Sequence, residues 1–271
     1  MNARFLKVGI RLESLGLPLR KALDEAARMG AGGVQFDAVG DLSPLRLSDS
    51  GRREVRNLLR ARNLELTALH CPLDGGLDEP INLQPRIDYL REVMTLAYDL
   101  GPRIVVAAVG QVPEQTEGAP EDPRAILHRD ALDALARHGD RVGTVLALDT
   151  GLESGETLAA YLASFDTASL GANLSPGNLL LHGFNPSAAA RALTGRIAHL
   201  HARDGRRSST SRAARETALG AGDIDWLSYL ELLQEIEYRG WLVVVRDEGD
   251  RRAADVEAGV KFLRRLLGLE S

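Results

Sequence analysis

The feature that most restricts this chain is an alternation, repeated eight times between Phe5 and Leu267, of a short apolar run with a longer stretch whose apolar residues recur at helical spacing. The apolar runs are 5–10, 33–36, 64–69, 103–108, 144–148, 170–174, the run that begins at Ile197, and 241–245. The helical stretches are 18–29, 49–62, 84–100, one ending at Arg137, 155–164, 186–193, 225–238 and 252–267. Gly30 stops the first helix, and Ser48 or Asp49 caps the second. Strands this uniformly apolar suit a parallel sheet covered on both faces, and eight such units in about 250 residues have the size and order of a (β/α)8 barrel. No break in composition divides the 271 residues, so the chain reads as α/β, one barrel domain over 1–271. A doubly wound open sheet is the alternative. Against it, Arg11-Leu12-Glu13-Ser14 follows the first strand where a glycine-rich dinucleotide fingerprint would stand.

In a barrel the residues just after each strand form the mouth of the site. Here they are Asp37, His70, Asp149, Ser175, His201 and the group Arg246-Asp247-Glu248. The densest such stretch runs from Ile197 to Gly205. Strand parity puts His199, His201 and Arg203 on one face and Leu200 on the other. A lone histidine here is as readily a hydrogen-bonded core residue as a functional one. The repeated delivery of polar groups to strand ends is what points to chemistry.

Charge excludes some partners. A net charge of −5 leaves no basic footprint for nucleic acid or an anionic membrane. No segment approaches the roughly 20 apolar residues of a membrane span, and 1–12 holds no apolar stretch of signal-peptide length. One cysteine, Cys71, excludes an internal disulfide and fits a reducing compartment. It reads as a small buried hydrophobe, since no acyl-transfer constellation surrounds it. The expectation is a soluble, cytoplasmic protein acting on a small carbohydrate-like molecule, with homo-oligomerisation left open.

Five motifs, taken in order and spacing, resemble one known group. They are Met29-Gly30-Ala31-Gly32-Gly33-Val34-Gln35, Leu146-Ala147-Leu148-Asp149-Thr150-Gly151, Leu174-Ser175-Pro176-Gly177-Asn178, His199 to Asp204, and Gly220-Ala221-Gly222-Asp223-Ile224-Asp225-Trp226. Together they are similar to the xylose-isomerase-like TIM barrels, in particular the sugar-phosphate isomerase/epimerase branch that includes ketose 3-epimerases and inositol catabolism enzymes. The resemblance spans nearly the whole chain. It implies a divalent metal held by Glu, Asp, His and Glu after strands five to eight, with carboxylates moving a proton beside a sugar carbonyl.

Carried over by position, those four places are Asp149, Ser175, His201 and Val245. Val245 can neither bind a metal nor accept a proton, and Ser175 offers only a neutral hydroxyl. Asp247 shares parity with Val245, which suggests a displaced metal site of Asp149, His201 and Asp247 with His70 at its rim. The expected cofactor is therefore Mn, Mg or Zn at that displaced site, or none. Asp149 and His201 are the expected proton-transfer residues; His70, Asn178, Asp204 and Arg207 are the expected substrate contacts. Arg207 matches the position of an arginine that touches substrate in the epimerases this chain resembles.

The arginine-rich loop 203–223 (Arg206, Arg207, Arg212, Arg215) reads first as a solvated charged loop and second as an anion clamp. The loop 111–123 reads as a lid or interface. Asp225 is expected to cap a helix and Trp241 to pack beneath the barrel wall. Three functions follow: an isomerase or epimerase on a small polyol or keto sugar, a lyase or dehydratase on the same scaffold, or a barrel without catalysis that binds a sugar-like ligand or a partner. An endonuclease, which would need many more His and carboxylate ligands, fits poorly.

Overall fold

Strand residues that are apolar on both faces need cover inside and out, and a closed barrel ringed by helices supplies it. The computed structural model describes residues 5–112, 122–207 and 214–269. Among them the order is β1 (Leu6–Arg11), α1 (Leu19–Arg28), β2 (Gly33–Asp37), α2 (Asp49–Arg60), β3 (Glu65–His70), α3 (Leu83–Leu100), β4 (Ile104–Ala107), α4 (Pro123–Val142), β5 (Val145–Asp149), α5 (Gly155–Ala163) and β6 (Leu170–Leu174). Then come α6 (Pro176–Leu181), α7 (Pro186–Ala192), β7 (Ile197–Ala202), a hairpin of β8 (Asp204–Arg207) and β9 (Ala214–Thr217), α8 (Trp226–Glu235), β10 (Gly240–Val244) and α9 (Arg252–Leu266).

Eight strands close in the order β1-β10-β7-β6-β5-β4-β3-β2, each parallel to its neighbours. This is the expected single-domain (β/α)8 barrel. Helix starts follow local chemistry: Ser48, Asp122, Ser154, Asn185 and Asp225 each accept a backbone N–H as N-caps. Asp225 thus does what its sequence context predicts. Two elements were not anticipated. Pro176 opens the short helix α6 directly after β6, and the start of the expected loop 203–223 folds into the antiparallel β8–β9 hairpin.

The main core lies between strands and helices, with Leu69, Leu90, Met94, Leu132, Leu146 and Leu230 fully buried there. Inside the barrel a second, smaller cluster of Ala68, Val106 and Ala147 fills the middle. Beneath it Trp241 lies against Gly32 and Gly33, with Lys7 Nζ 4.9 Å from its ring centroid. Small residues near the axis leave room for polar groups above them. Arg212 and most of the loop 111–123 lie outside the described residues. No helix of the described residues is long and apolar enough to cross a membrane.

Candidate active site

Two register shifts prepare the site. The β2–β3 ladder steps between Val34 and Gln35, and the β6–β7 ladder between Ala172 and Asn173. Such irregularities re-aim side chains. They accompany a polar layer inside the barrel, made of Gln35, Thr67, Asn173, His199 and His201, all buried.

The hydrogen bonds of this layer determine one another. Asn173 Nδ2 donates to Asp149 Oδ1 and, at 2.9 Å, to His201 Nδ1. His201 therefore carries its proton on Nε2, which donates to Gln35 Oε1 at 2.8 Å. Asn173 Oδ1 accepts from His199 Nδ1 at 2.9 Å, and Thr67 Oγ1 donates to His199 Nε2 at 3.4 Å. Both imidazoles are neutral. Burial pushes His199 down to about 3 and His201 well below the ordinary histidine value. Gln35 Nε2 is a buried donor without a partner among the described residues.

Above this layer stands a charged rim. Asp149 ends β5, and burial raises its carboxyl against the opposing pull of His70, Asn173, Arg11 and Arg203. Its side chain is 18% exposed, and its Oδ2 accepts no hydrogen bond from the described residues. His70 Nδ1 donates to Asp37 Oδ1 at 2.8 Å, leaving Nε2 without a partner among the described residues. Burial would raise Asp37, but the hydrogen bond and charge of His70, with those of Arg11, hold it below the usual carboxylate range. Arg11 donates to Asp37 at 3.0 Å and to Asp247 at 3.0 Å. Arg203 donates to Asn178 Oδ1 at 2.9 Å and to Glu216 at 2.8 Å, and it lies 3.2 Å from Asp247.

The hairpin ties this rim together. Glu216 of β9, its side chain wholly buried, accepts from Arg203, from Arg246 at 3.0 Å, and from the backbone N–H groups of Asp247 and Glu248. A carboxylate thus reaches the end of β10 from outside the strand, where Val245 cannot supply one.

These positions bear on several expected roles. Asp204 is 1% exposed and accepts from the N–H groups of Gly205, Gly220 and Gly222 and from Trp226 Nε1, so its carboxylate organises a loop. Arg207 is exposed and reaches the carbonyls of Leu180 and Phe184 at the end of α6. His201 has both nitrogens committed and is no free acid or base. Asn178 stays near the mouth as a partner of Arg203. Arg11, Gln35, Asn173 and Glu216 were not foreseen. Gln35 and Asn173 are polar residues within apolar runs and Arg11 directly follows one, which is a signal, though spacing alone gives no partner.

The donor set does not fit the implied metal. Asp247 is neutralised by two guanidinium groups, His201 has no free lone pair, and Ser175 and Val245 stand at the other places. Among the described residues no group of three or more His, Cys, Asp or Glu side chains is arranged to hold an ion. The displaced set of Asp149, His201 and Asp247 is thus not assembled. Cavities of about 510 and 520 Å³ open elsewhere, one at the starts of β5 to β7 and one between α1 and α9.

Comparison with known proteins agrees with this architecture. A family model described as xylose isomerase-like TIM barrel matches residues 23–266. The uncharacterised protein YfiH of Bacillus subtilis (strain 168) is 26% identical over 311 aligned positions, spanning 94% of this chain and 96% of that protein. A xylose isomerase domain protein from Planctomyces limnophilus superposes with a TM-score of 0.83 at 24% identity, covering 97% of each chain. A D-psicose 3-epimerase from Clostridium cellulolyticum H10, solved with D-tagatose, gives 0.75 at 16% identity over 96% of this chain and 99% of that one. At these identities the structural likeness speaks for the fold alone.

Proposed function

The chain belongs to the xylose isomerase-like TIM barrel family, and on that premise we propose that it is an isomerase or epimerase acting on a small polyol or keto sugar by proton transfer at the C-terminal mouth of the barrel. The observation that carries this is the pairing of Asp149, one carboxylate oxygen unbonded and its carboxyl raised by burial, with His70, oriented by Asp37 and close enough for its charge to act on Asp149. A raised carboxyl is a stronger base, and a histidine held through Nδ1 presents Nε2 as an acid.

In this reading Asp149 Oδ2 takes the proton from a carbon beside the substrate carbonyl, and the C–H electrons pass into an enediolate. The proton of His70 Nε2 is then delivered to the carbon from the other side, inverting it. Exchange with solvent returns both residues to their starting states. Arg11 and Arg203 supply the positive field at the developing oxyanion. Loss of a neighbouring hydroxyl from the same intermediate would make the protein a dehydratase.

The test is incubation with a panel of ketohexoses and inososes in D2O, followed by proton NMR. Solvent deuterium entering at the carbon beside the carbonyl, abolished in Asp149→Asn and reduced at least about 100-fold in His70→Gln, supports the proposal. Olefinic signals would assign dehydration. Saturable ligand binding with no exchange would favour a second reading, a binding barrel, which the non-ligand residues Ser175 and Val245 favour.

A further inference from the structure

Three side chains meet between β5 and β7. Asn173 Nδ2 lies 2.5 Å from Asp149 Oδ1 and 2.9 Å from His201 Nδ1, and those two acceptors are themselves 3.9 Å apart. Two ligands of one divalent ion, each at about 2.0–2.2 Å, can stand no more than about 4.4 Å from one another. The 3.9 Å separation therefore lies within the span that one cation can bridge. In this chain a primary amide stands there instead, its two N–H groups aimed at the lone pairs that would bind an ion. Its oxygen accepts from His199, and the side chain is wholly buried, so every polar atom of Asn173 is fixed.

We propose that Asn173 is a positioning residue that fills a cation position between Asp149 and His201, so that the mouth holds its carboxylate with an amide and works without a metal. The surroundings match this role. Val245 and Ser175 complete no ligand set, while Arg11 and Arg203 place fixed positive charge within reach of Asp149. An amide can hold a carboxylate in place but adds no net charge, and the two guanidinium groups supply that charge. The inference concerns what holds Asp149 and stands whichever reaction the mouth performs.

Metal binding tests it without reference to activity. The chelator-treated chain is titrated with Mn²⁺ by calorimetry and with Co²⁺ by calorimetry and visible absorption. The wild type is expected to bind no stoichiometric metal. Asn173→Asp, which exchanges the amide for a second anionic donor beside Asp149 and a third donor in all with His201, is expected to bind about one equivalent, at least roughly 100-fold tighter than wild type, because a third ligand has been added. Its Co²⁺ absorption band is expected to vanish when His201→Ala is added. If that variant does not fold, Asn173→Gly takes its place, since it empties the position and leaves Asp149 and His201 facing one another; a gain of about tenfold is then expected. One equivalent bound by the wild type and lost in His201→Ala overturns the proposal. A folded Asn173→Asp or Asn173→Gly that binds no better than wild type overturns it as well.

Discussion

Arg11 Nη1 donates to Asp247 Oδ1 at 3.0 Å, across the seam where β10 meets β1 and closes the barrel. The other carboxylate oxygen of Asp247 lies 3.2 Å from Arg203. One carboxylate therefore bridges two guanidinium groups at the rim, which Asp37 and Glu216 pair from their other sides. Its side chain is 37% exposed, so Asp247→Asn is expected to cost only about 1 kcal/mol of stability. It also leaves two cations without their shared partner. Sulfate at about 100 times its Kd would then raise the variant's stability by about 2.7 kcal/mol, seen as a higher Tm that the wild type lacks. Equal response of both proteins would show that Asp247 does not occupy these arginines.

Glu216 and Arg207 sit near one another in sequence and are expected to differ sharply. Glu216 is buried between Arg203 and Arg246, and Glu216→Gln removes the buried carboxylate that the two guanidinium groups share, leaving Arg203 paired only with Asp247 and Arg246 only with Asp255. Removing one member of a buried ion pair costs about 3–5 kcal/mol, a loss that urea unfolding would register. Arg207→Ala removes exposed contacts to the carbonyls of Leu180 in α6 and Phe184 beyond it and should stay within about 0.5 kcal/mol of wild type. Similar losses in the two variants would contradict the assignment of the hairpin's anchor to Glu216.

Much of the barrel is legible in the sequence because buried parallel strands leave long apolar runs between turn signals, and those runs give all eight strands. Asp37, His70 and Asp149 are legible for a related reason: each is the first polar residue where such a run ends. Asn173 and Gln35 are not, since a polar residue inside a strand acquires meaning only from the neighbour that register brings beside it. Here that register shifts at the two ladders concerned. The partners of Asp204 and Arg207 are not legible for a different reason. Their segment is too short and too charged to read as a strand, yet pairing with β9 turns Asp204 into the loop and Arg207 onto α6. Glu216 is buried only because arginines from the ends of two barrel strands converge on it.

The neutral histidines make stability depend on pH in a defined sense. His199 titrates at about 3 in the folded chain, whereas the unfolded chain takes up its proton near 6.5, so between those values the unfolded state binds more protons. Stability is therefore full above about 6.5 and falls as pH drops toward 3, by about 1.4 kcal/mol per pH unit for this group. His201 adds a loss of the same sign. Asp149, raised in the folded state, acts oppositely: it retains its proton above the unfolded value and regains stability as pH falls. His199→Gln should flatten the urea-midpoint profile below pH 6.5 by about one proton's slope. An unchanged profile would mean that His199 is charged in the folded chain.

Gly33 links the floor of the barrel to the polar layer. A methyl group built there would lie 2.7 Å from Thr67 Cγ2 and 2.7 Å from Trp241 Cη2. Neither neighbour yields easily, since Thr67 donates to His199 and the Trp241 ring lies beneath Lys7. Gly33→Ala should therefore overpack the interior, with a loss of about 1–3 kcal/mol even though alanine ordinarily suits a strand no worse than glycine. The strain should reach the layer above by displacing Thr67 and weakening its hydrogen bond to His199. Calorimetric unfolding reads the stability, and the imidazole nitrogen shifts of His199 read the hydrogen bond. Trp241→Phe in the same background should recover part of the loss by removing the indole's far edge. If Gly33→Ala proves neutral, or if Trp241→Phe brings no recovery, the glycine is not what makes room for the ring.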